Sequence, residues 1–196
     1  MLHHRLKQLT RSVAVALALV LLASCSADTA TTDSPGKQSD QSETAISLSN
    51  SDVMFLQMMI PHHEQAVDIS NLALSKSSNA DLLALAKRIA EEQGTEIAMM
   101  RSWLEAAGED EEMGHAMHGM DGMLSDEALG QLEQAEGSAF DRAWLNGMIE
   151  HHDGAIEMAE MIVDARDERL RAFGERIIAA QSAEIDEMKS IIERLG

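Results

Sequence analysis

Asp52-Val-Met-Phe-Leu-Gln-Met-Met-Ile-Pro-His-His-Glu-Gln-Ala-Val-Asp-Ile69 decides the fold, because the chain states it twice. The echo, Asp141-Arg-Ala-Trp-Leu-Asn-Gly-Met-Ile-Glu-His-His-Asp-Gly-Ala-Ile-Glu-Met158, lies 89 positions downstream. Both copies run acid, aromatic-Leu, Met-Ile, one spacer, two histidines, acid, then Ala-(Val/Ile)-acid-(Ile/Met). So many matches in one register indicate an internal duplication. Four of the chain's eight histidines fall in the two copies, which points to a metal site.

Helical periodicity extends outward from each copy. Phe55, Met59, His62, Ala66 and Ile69 share one face of a helix from about Ser51 to Ser75. Pro61 lies inside that pattern and is expected to kink or locally break it. After a turn at Ser77-Ser78-Asn79, a second helix of about Ala80 to Ala107 carries Leu82, Leu85, Ala86, Ile89, Gln93, Ile97, Met100 and Leu104, and stops at Gly108. A short helical segment of about 125–136 leads to a third long helix, about Ser138 to Asp164, and a fourth follows from about Asp167 to Leu195. The second and fourth repeat each other at an offset of 88: Arg88-Ile89, Gln93, Glu96-Ile97 and Met100 match Arg176-Ile177, Gln181, Glu184-Ile185 and Met188. The expectation is an all-α protein: a four-helix bundle of two duplicated hairpins, with both histidine pairs near its centre.

Composition agrees. The chain has 196 residues, is 45% hydrophobic, and contains two prolines and no tyrosine. A formal charge of −19 argues against nucleic acid as a partner and makes cations the natural small ones. Residues 1–24 read as a leader: a basic start with Arg5, Lys7 and Arg11, then an apolar Ser12–Leu22 run too short to span a bilayer comfortably. Leu22-Ala23-Ser24-Cys25 resembles a bacterial lipobox, so Cys25 is the expected lipidation site. The alternative is an ordinary secretory signal with an incidental cysteine. Both put the mature protein outside the cytoplasm, and the first anchors it to the cell membrane. Residues 25–50, rich in Ser, Thr, Asp and Gln, read as a flexible tether. Residues 51–196 then form the bundle, as a first hairpin (51–108), a loop (109–124) and a second hairpin (125–196).

On a helix, at about 100° per residue, His62 points at the core and His63 lies toward the edge of the same face, with Leu56 and Ser70. Met59 precedes the two histidines by three and four residues, and Met148 stands likewise before His151 and His152. Each turn therefore offers two imidazoles and one thioether. Glu96 and Glu184 interrupt apolar seams, where a carboxylate is costly unless it ligates a metal or accepts a hydrogen bond from a histidine's non-ligating nitrogen. Glu64, Asp153, Asp68 and Glu157 fall off the inward face, although Glu64 and Asp153 could orient a ring. The loop, EDEEMGHAMHGMDGM, is Gly-rich and reads as mobile, and it holds a second His/Met array: His115, Met117, His118, Met120 and Met123, with Met113 before them. Thioether with imidazole in an oxidising compartment suits Cu(I) and tolerates Cu(II).

The stretches F-L-Q-M-M-I-P-H-H-E-Q-A-V-D-I and W-L-N-G-M-I-E-H-H-D-G-A-I-E-M resemble the signature of the bacterial family catalogued as domain of unknown function 305, from about Ser51 to Gly196. The resemblance implies a secreted or lipid-anchored protein with a ferritin-like bundle, and a link to periplasmic copper binding and tolerance. It makes His62, His63, His151 and His152, with Met59 and Met148, the candidate ligands. Glu150 stands where the first copy has Pro61, a departure from equivalence of the half-sites. The function expected is copper binding for buffering, tolerance or transfer. Competing readings are a ferritin-like di-iron or di-manganese oxidase and an acidic module that docks another envelope protein. The oxidase class needs Glu three residues before a histidine, where this chain has Met59 and Met148, so iron is disfavoured and an enzyme is not the expectation.

Overall fold

The structure is a computed structural model, and it describes residues 46–112 and 120–196. The leader, Cys25 and most of the tether lie outside the described residues, as do Met113, His115, Met117 and His118. The helices are α1 (Asn50–Lys76), α2 (Ala80–Ala107), α3 (Asp126–Gln134), α4 (Gly137–Ala159) and α5 (Glu168–Arg194), with a 3₁₀ turn at Glu160–Ile162. None of the described helices is long and apolar enough to cross a membrane.

Local chemistry sets the helix ends. Ser49 caps α1 in a reciprocal box: its hydroxyl accepts from the Asp52 amide, and Asp52 accepts from the Ser49 amide at 2.7 Å. Asn79 accepts from the amides of Asp81 and Leu82 at the start of α2, and Asp167 accepts from the Arg169 amide at the start of α5. Gly108, at φ 73°, ends α2 in the left-handed conformation. Ile46, four residues before α1, is already buried.

Two features refine the sequence expectation. Of the kink or local break expected at Pro61, the break is absent: α1 is continuous from Asn50 to Lys76. The ring deprives the Gln57 carbonyl of its usual amide donor, at a cost of about 3 kcal/mol. Burial of Phe55, Leu56, Met59 and Ile60 before it, and of His62, His63 and Ala66 after it, holds both sides of the defect. The third long helix ends its α geometry at Ala159, short of Asp164, and tightens into the 3₁₀ turn. There α5 packs closely, since a Cβ on Gly174 would lie 2.8 Å from Ile162 Cγ1 and 3.1 Å from the Ala159 carbonyl.

Four long helices pack as a bundle: α1 on α2, α4 on α5, α1 on α4, and α2 on α5. Two braces fix the α1–α4 register. The Trp144 indole donates to the Ile69 carbonyl at 3.0 Å, and Ser77 Oγ donates to Asp141 Oδ1 at 2.6 Å. The apolar interior falls into two clusters along the bundle. One holds Phe55, Met59, Met100, Met158 and Phe173, and the other Ile69, Leu85, Trp144, Met148 and Met188. On every long helix polar side chains stand between these clusters: His62 and His63, Gln93 and Glu96, His151 and His152, Gln181 and Glu184.

Candidate metal centre

This polar layer crosses the middle of the bundle. All four histidines are fully buried. His62 and His151, from α1 and α4, lie against each other with ring centroids 3.8 Å apart and planes inclined at 41°. Within each pair the rings are 6.5 Å and 6.4 Å apart. α1 and α4 thus bring His62 and His151 into contact, while His63 and His152 reach the second helix of each hairpin. There His63 Nε2 meets Glu96 Oε2 at 2.8 Å, and His152 Nε2 meets Glu184 Oε2 at 2.9 Å.

His63 is as buried as His62, whereas the periodicity places it at the edge of the face. The reason is that α1 packs against two helices, which widens its buried arc to include Leu56, His63 and Ser70. The carboxylates that hold the outer rings come from the neighbouring helices. The sequence-adjacent acids do other things: Glu64 accepts from Arg101 at 2.6 Å, and Asp153 is exposed.

A carboxylate accepts hydrogen bonds, so Glu96 and Glu184 select the tautomer with the proton on Nε2 and leave Nδ1 with a free lone pair. Nδ1 of His63 and of His152 has no partner, and neither does either ring nitrogen of His62 or His151. Gln93 and Gln181 are also buried with unpartnered amides. Buried polar groups are ordinarily paired, so this many orphaned donors and acceptors in one layer demands an account.

The inner rings are held neutral. Burial first, then neighbouring His63, pushes His62 down from 6.5 to about 3; the Asp121 backbone opposes the shift, and His152 adds to it. Burial first, then proximity to His62, His152 and His63, holds His151 well below its ordinary value. A neutral imidazole is a metal donor with no proton to displace.

Met59 and Met148, one turn before the histidines, are fully buried, one in each apolar cluster. Among the described residues no three His, Cys, Asp or Glu side chains already converge as a ligand set. The donors that fit a metal are therefore His62 and His151, with thioethers close in sequence and the two carboxylate-held imidazoles beside them. Few donors, nitrogen and sulfur in kind, suit a soft ion that accepts low coordination numbers better than iron or magnesium.

The loop end at Met120–Leu124 is held against α1 and α4. The Gln65 amide donates to the Leu124 carbonyl at 3.0 Å, and its oxygen accepts from the Leu124 amide at 2.8 Å. Gly122, at φ 83°, crosses Gly154 so closely that a Cβ on Gly122 would lie 2.9 Å from the Gly154 Cα. Gln65 and Gly154 are repeat mates, and both serve this strap. Sequence reasoning missed them; a glycine in mid-helix beside the second histidine pair was the available signal. Of the loop array, Met120 is buried and Met123 lines a surface pocket with Asp121, Glu150 and Asp153. The loop's other end is pinned by Gln57 donating to the Asp110 carbonyl at 2.7 Å and by Arg101 on Glu111.

Known proteins share this fold. Solved structures similar to the chain include a DUF305 protein from Streptomyces coelicolor, at 26% identity and TM-score 0.71, covering 74% of this chain and 94% of that one. A DUF305 fragment from Deinococcus radiodurans matches at 29% identity and TM-score 0.69, covering 74% and 97%. CopM in its Cu(I)-bound form matches at 30% identity and TM-score 0.61, covering 73% and 96%; its Cu(II)-bound and Ag-bound forms match similarly. An uncharacterized protein, L153, of Acanthamoeba polyphaga mimivirus is 44% identical over 54 residues, which is 27% of this chain and 36% of that protein. The model of the domain of unknown function DUF305 matches residues 52–192, and with the histidine repeat at the centre of that span, the chain belongs to the DUF305 family.

Proposed function

We propose that the chain binds copper in the buried histidine layer, as Cu(I) in the first instance, and that it serves copper buffering, tolerance or transfer. The observation that carries this reading is the His62–His151 contact: two fully buried neutral imidazoles with all four nitrogens unpartnered. Flanking them, His63 and His152 present Nδ1, with Glu96 and Glu184 holding the opposite nitrogen. Met59 and Met148 add thioethers on the same helices. CopM, bound to copper in both oxidation states and to silver, supports extending metal binding from that relative to this chain.

The leader and Leu22-Ala23-Ser24-Cys25 support a lipid-anchored protein on the extracytoplasmic face of the membrane. A di-metal oxidase is less well supported, because Glu96 and Glu184 are engaged with histidines and the positions three residues before the four bundle histidines are Met59, Ile60, Met148 and Ile149, none of them a carboxylate.

The test is equilibrium titration of the full chain with Cu(I), Cu(II), Fe(II) and Zn(II) against a competing chelator. It runs beside a His62/His63/His151/His152→Ala variant and a 113–119 deletion. Tight copper binding lost in the quadruple variant is the expected result. Loss only on deletion would move the site to the loop, and iron uptake with oxygen consumption would revive the oxidase. Absence of binding would leave an interaction module.

A further inference from the structure

Three positions after the inner histidine stand Gln65 in the first copy and Gly154 in the second, and both hold the strap of residues 120–124. The two ends of the Gln65 amide engage the Leu124 backbone. Gly154 admits the strap on the other side: a Cβ there would lie 2.2 Å from the Asp121 carbonyl oxygen and 2.8 Å from the Gly122 Cα. A Cβ on Gly122 would in turn lie 2.8 Å from the carbonyl of Glu150, the residue before His151. The strap therefore crosses from the turn after His62 on α1 to the turns around His151 on α4, the level at which those two rings lie against each other. The Asp121 backbone comes close enough to act on the His62 ring, although neither nitrogen of that ring has a hydrogen bond.

All four histidines are fully buried, so an ion reaches them only if some segment of the protein moves. The four long helices are held along their length by the two apolar clusters. The strap is held more lightly. Met120 is buried and Leu124 packs on the second cluster, which anchors its two ends. Between these anchors Gly122 meets α4 as backbone against the backbone of Glu150 and Gly154, and Asp121 is exposed. A pocket of about 410 Å³, whose lining includes Gly122, Met123, Glu150 and Gly154, runs along the seam between strap and helix. A segment with few buried side chains and exposed hydrogen bonds is the kind that opens at the lowest free energy.

We propose that the strap is the cover through which metal enters the histidine layer: it lifts from Gln65 and Gly154 to admit a soft cation to His62 and His151, and reseats once the ion is held. Closure and binding support each other for a chemical reason. A ring nitrogen that takes the metal leaves the opposite nitrogen as an N–H donor in need of an acceptor. Glu96 and Glu184 already meet that need for the outer rings, and the strap brings the Asp121 carbonyl to the side of His62. The closed strap thus interacts more strongly with the loaded layer than with the empty one, and that difference is what couples the two. Only coordination bonds form and break, and no electron is transferred.

The inference rests on copper binding to the histidine layer, and the experiment separates the two. Cu(I) transfer from bicinchoninate to the full chain is followed by stopped flow, and release to a competing chelator is followed on the same samples with the stoichiometry. Gln65→Ala and Gly154→Ala, which loosen the strap from α1 and from α4, are compared with Gln57→Ala, which frees the loop's other end at Asp110. The strap variants are expected to load and release about tenfold faster with unchanged stoichiometry, while Gln57→Ala keeps the wild-type rates. In the wild-type chain, saturation with Ag(I) is expected to slow hydrogen exchange at the Leu124 amide, which Gln65 holds in the closed strap. Wild-type rates in both strap variants, with copper still bound, would overturn the cover alone, as would equal acceleration in Gln57→Ala or Leu124 exchange indifferent to silver. A wild-type chain that takes up no metal would overturn the metal-binding reading itself.

Discussion

His62 and His151 lie against each other across the α1–α4 contact, ring centroids 3.8 Å apart, with no hydrogen bond to any of their four nitrogens. In the metal-free protein this contact is a liability, since a buried polar group without a partner costs about 1–3 kcal/mol. His62→Leu combined with His151→Leu is therefore expected to leave the metal-free protein at least as stable as wild type, and by up to a few kcal/mol more stable in urea unfolding (about 1–3 per site). A marked fall in stability would mean that the rings are held by interactions beyond those described.

The same pair makes stability depend on pH. Below 6.5 the unfolded chain takes up protons that folded His62, at about 3, refuses, and His151 behaves in the same direction. Stability is thus fully present above about pH 6.5 and is lost as pH falls toward 3, by at most about 1.4 kcal/mol per pH unit for each histidine. Urea midpoints measured from pH 7.5 to 4.5 should fall accordingly. The double Leu variant should show a flatter profile over that range.

Glu184 and Glu96 are not equivalent supports. Glu184 is buried, holds His152 and lies beside Arg88, whereas Glu96 is partly open and holds only His63. Glu184→Ala strands a fully buried imidazole nitrogen and is expected to cost about 2–4 kcal/mol. Glu96→Ala should cost about 1 kcal/mol, because water can replace part of the lost bond. Thermal unfolding of the two variants checks the order, and an equal loss would count against it.

Gly154 exists to let the strap pass. A Cβ there would overlap the Asp121 carbonyl, which is backbone and cannot swing aside. Gly154→Ala should cost about 1–3 kcal/mol and lift Met120–Leu124 off the bundle. Limited proteolysis should then cut within 109–124 faster than in wild type, while Gly130→Ala, with open space around its Cβ, should cut at the wild-type rate.

Metal binding should stabilise the folded state by mass action. Silver, as a redox-inert substitute for Cu(I), at 100 times its dissociation constant should add about 2.7 kcal/mol. The shift should vanish in the His62/His63/His151/His152→Ala variant when both are followed by calorimetry. A shift of equal size in that variant would place the silver elsewhere.

The sequence alone determined the four long helices, the stop of the second at Gly108, and the inward direction of His62 and His151. Those features follow from side-chain periodicity on a single helix, which needs no neighbour to be read. Tertiary structure decided the rest: that His63 is fully buried, that Glu96 and Glu184 serve His63 and His152, that Gly122 crosses Gly154, and that Arg88 reaches Glu184 while Arg176 turns to Phe173. Helix spacing fixes the angle at which a residue leaves its own axis. Which residue meets it depends on the rotation and stagger of the facing helix, and these are set by the summed packing of two apolar clusters that no local motif encodes.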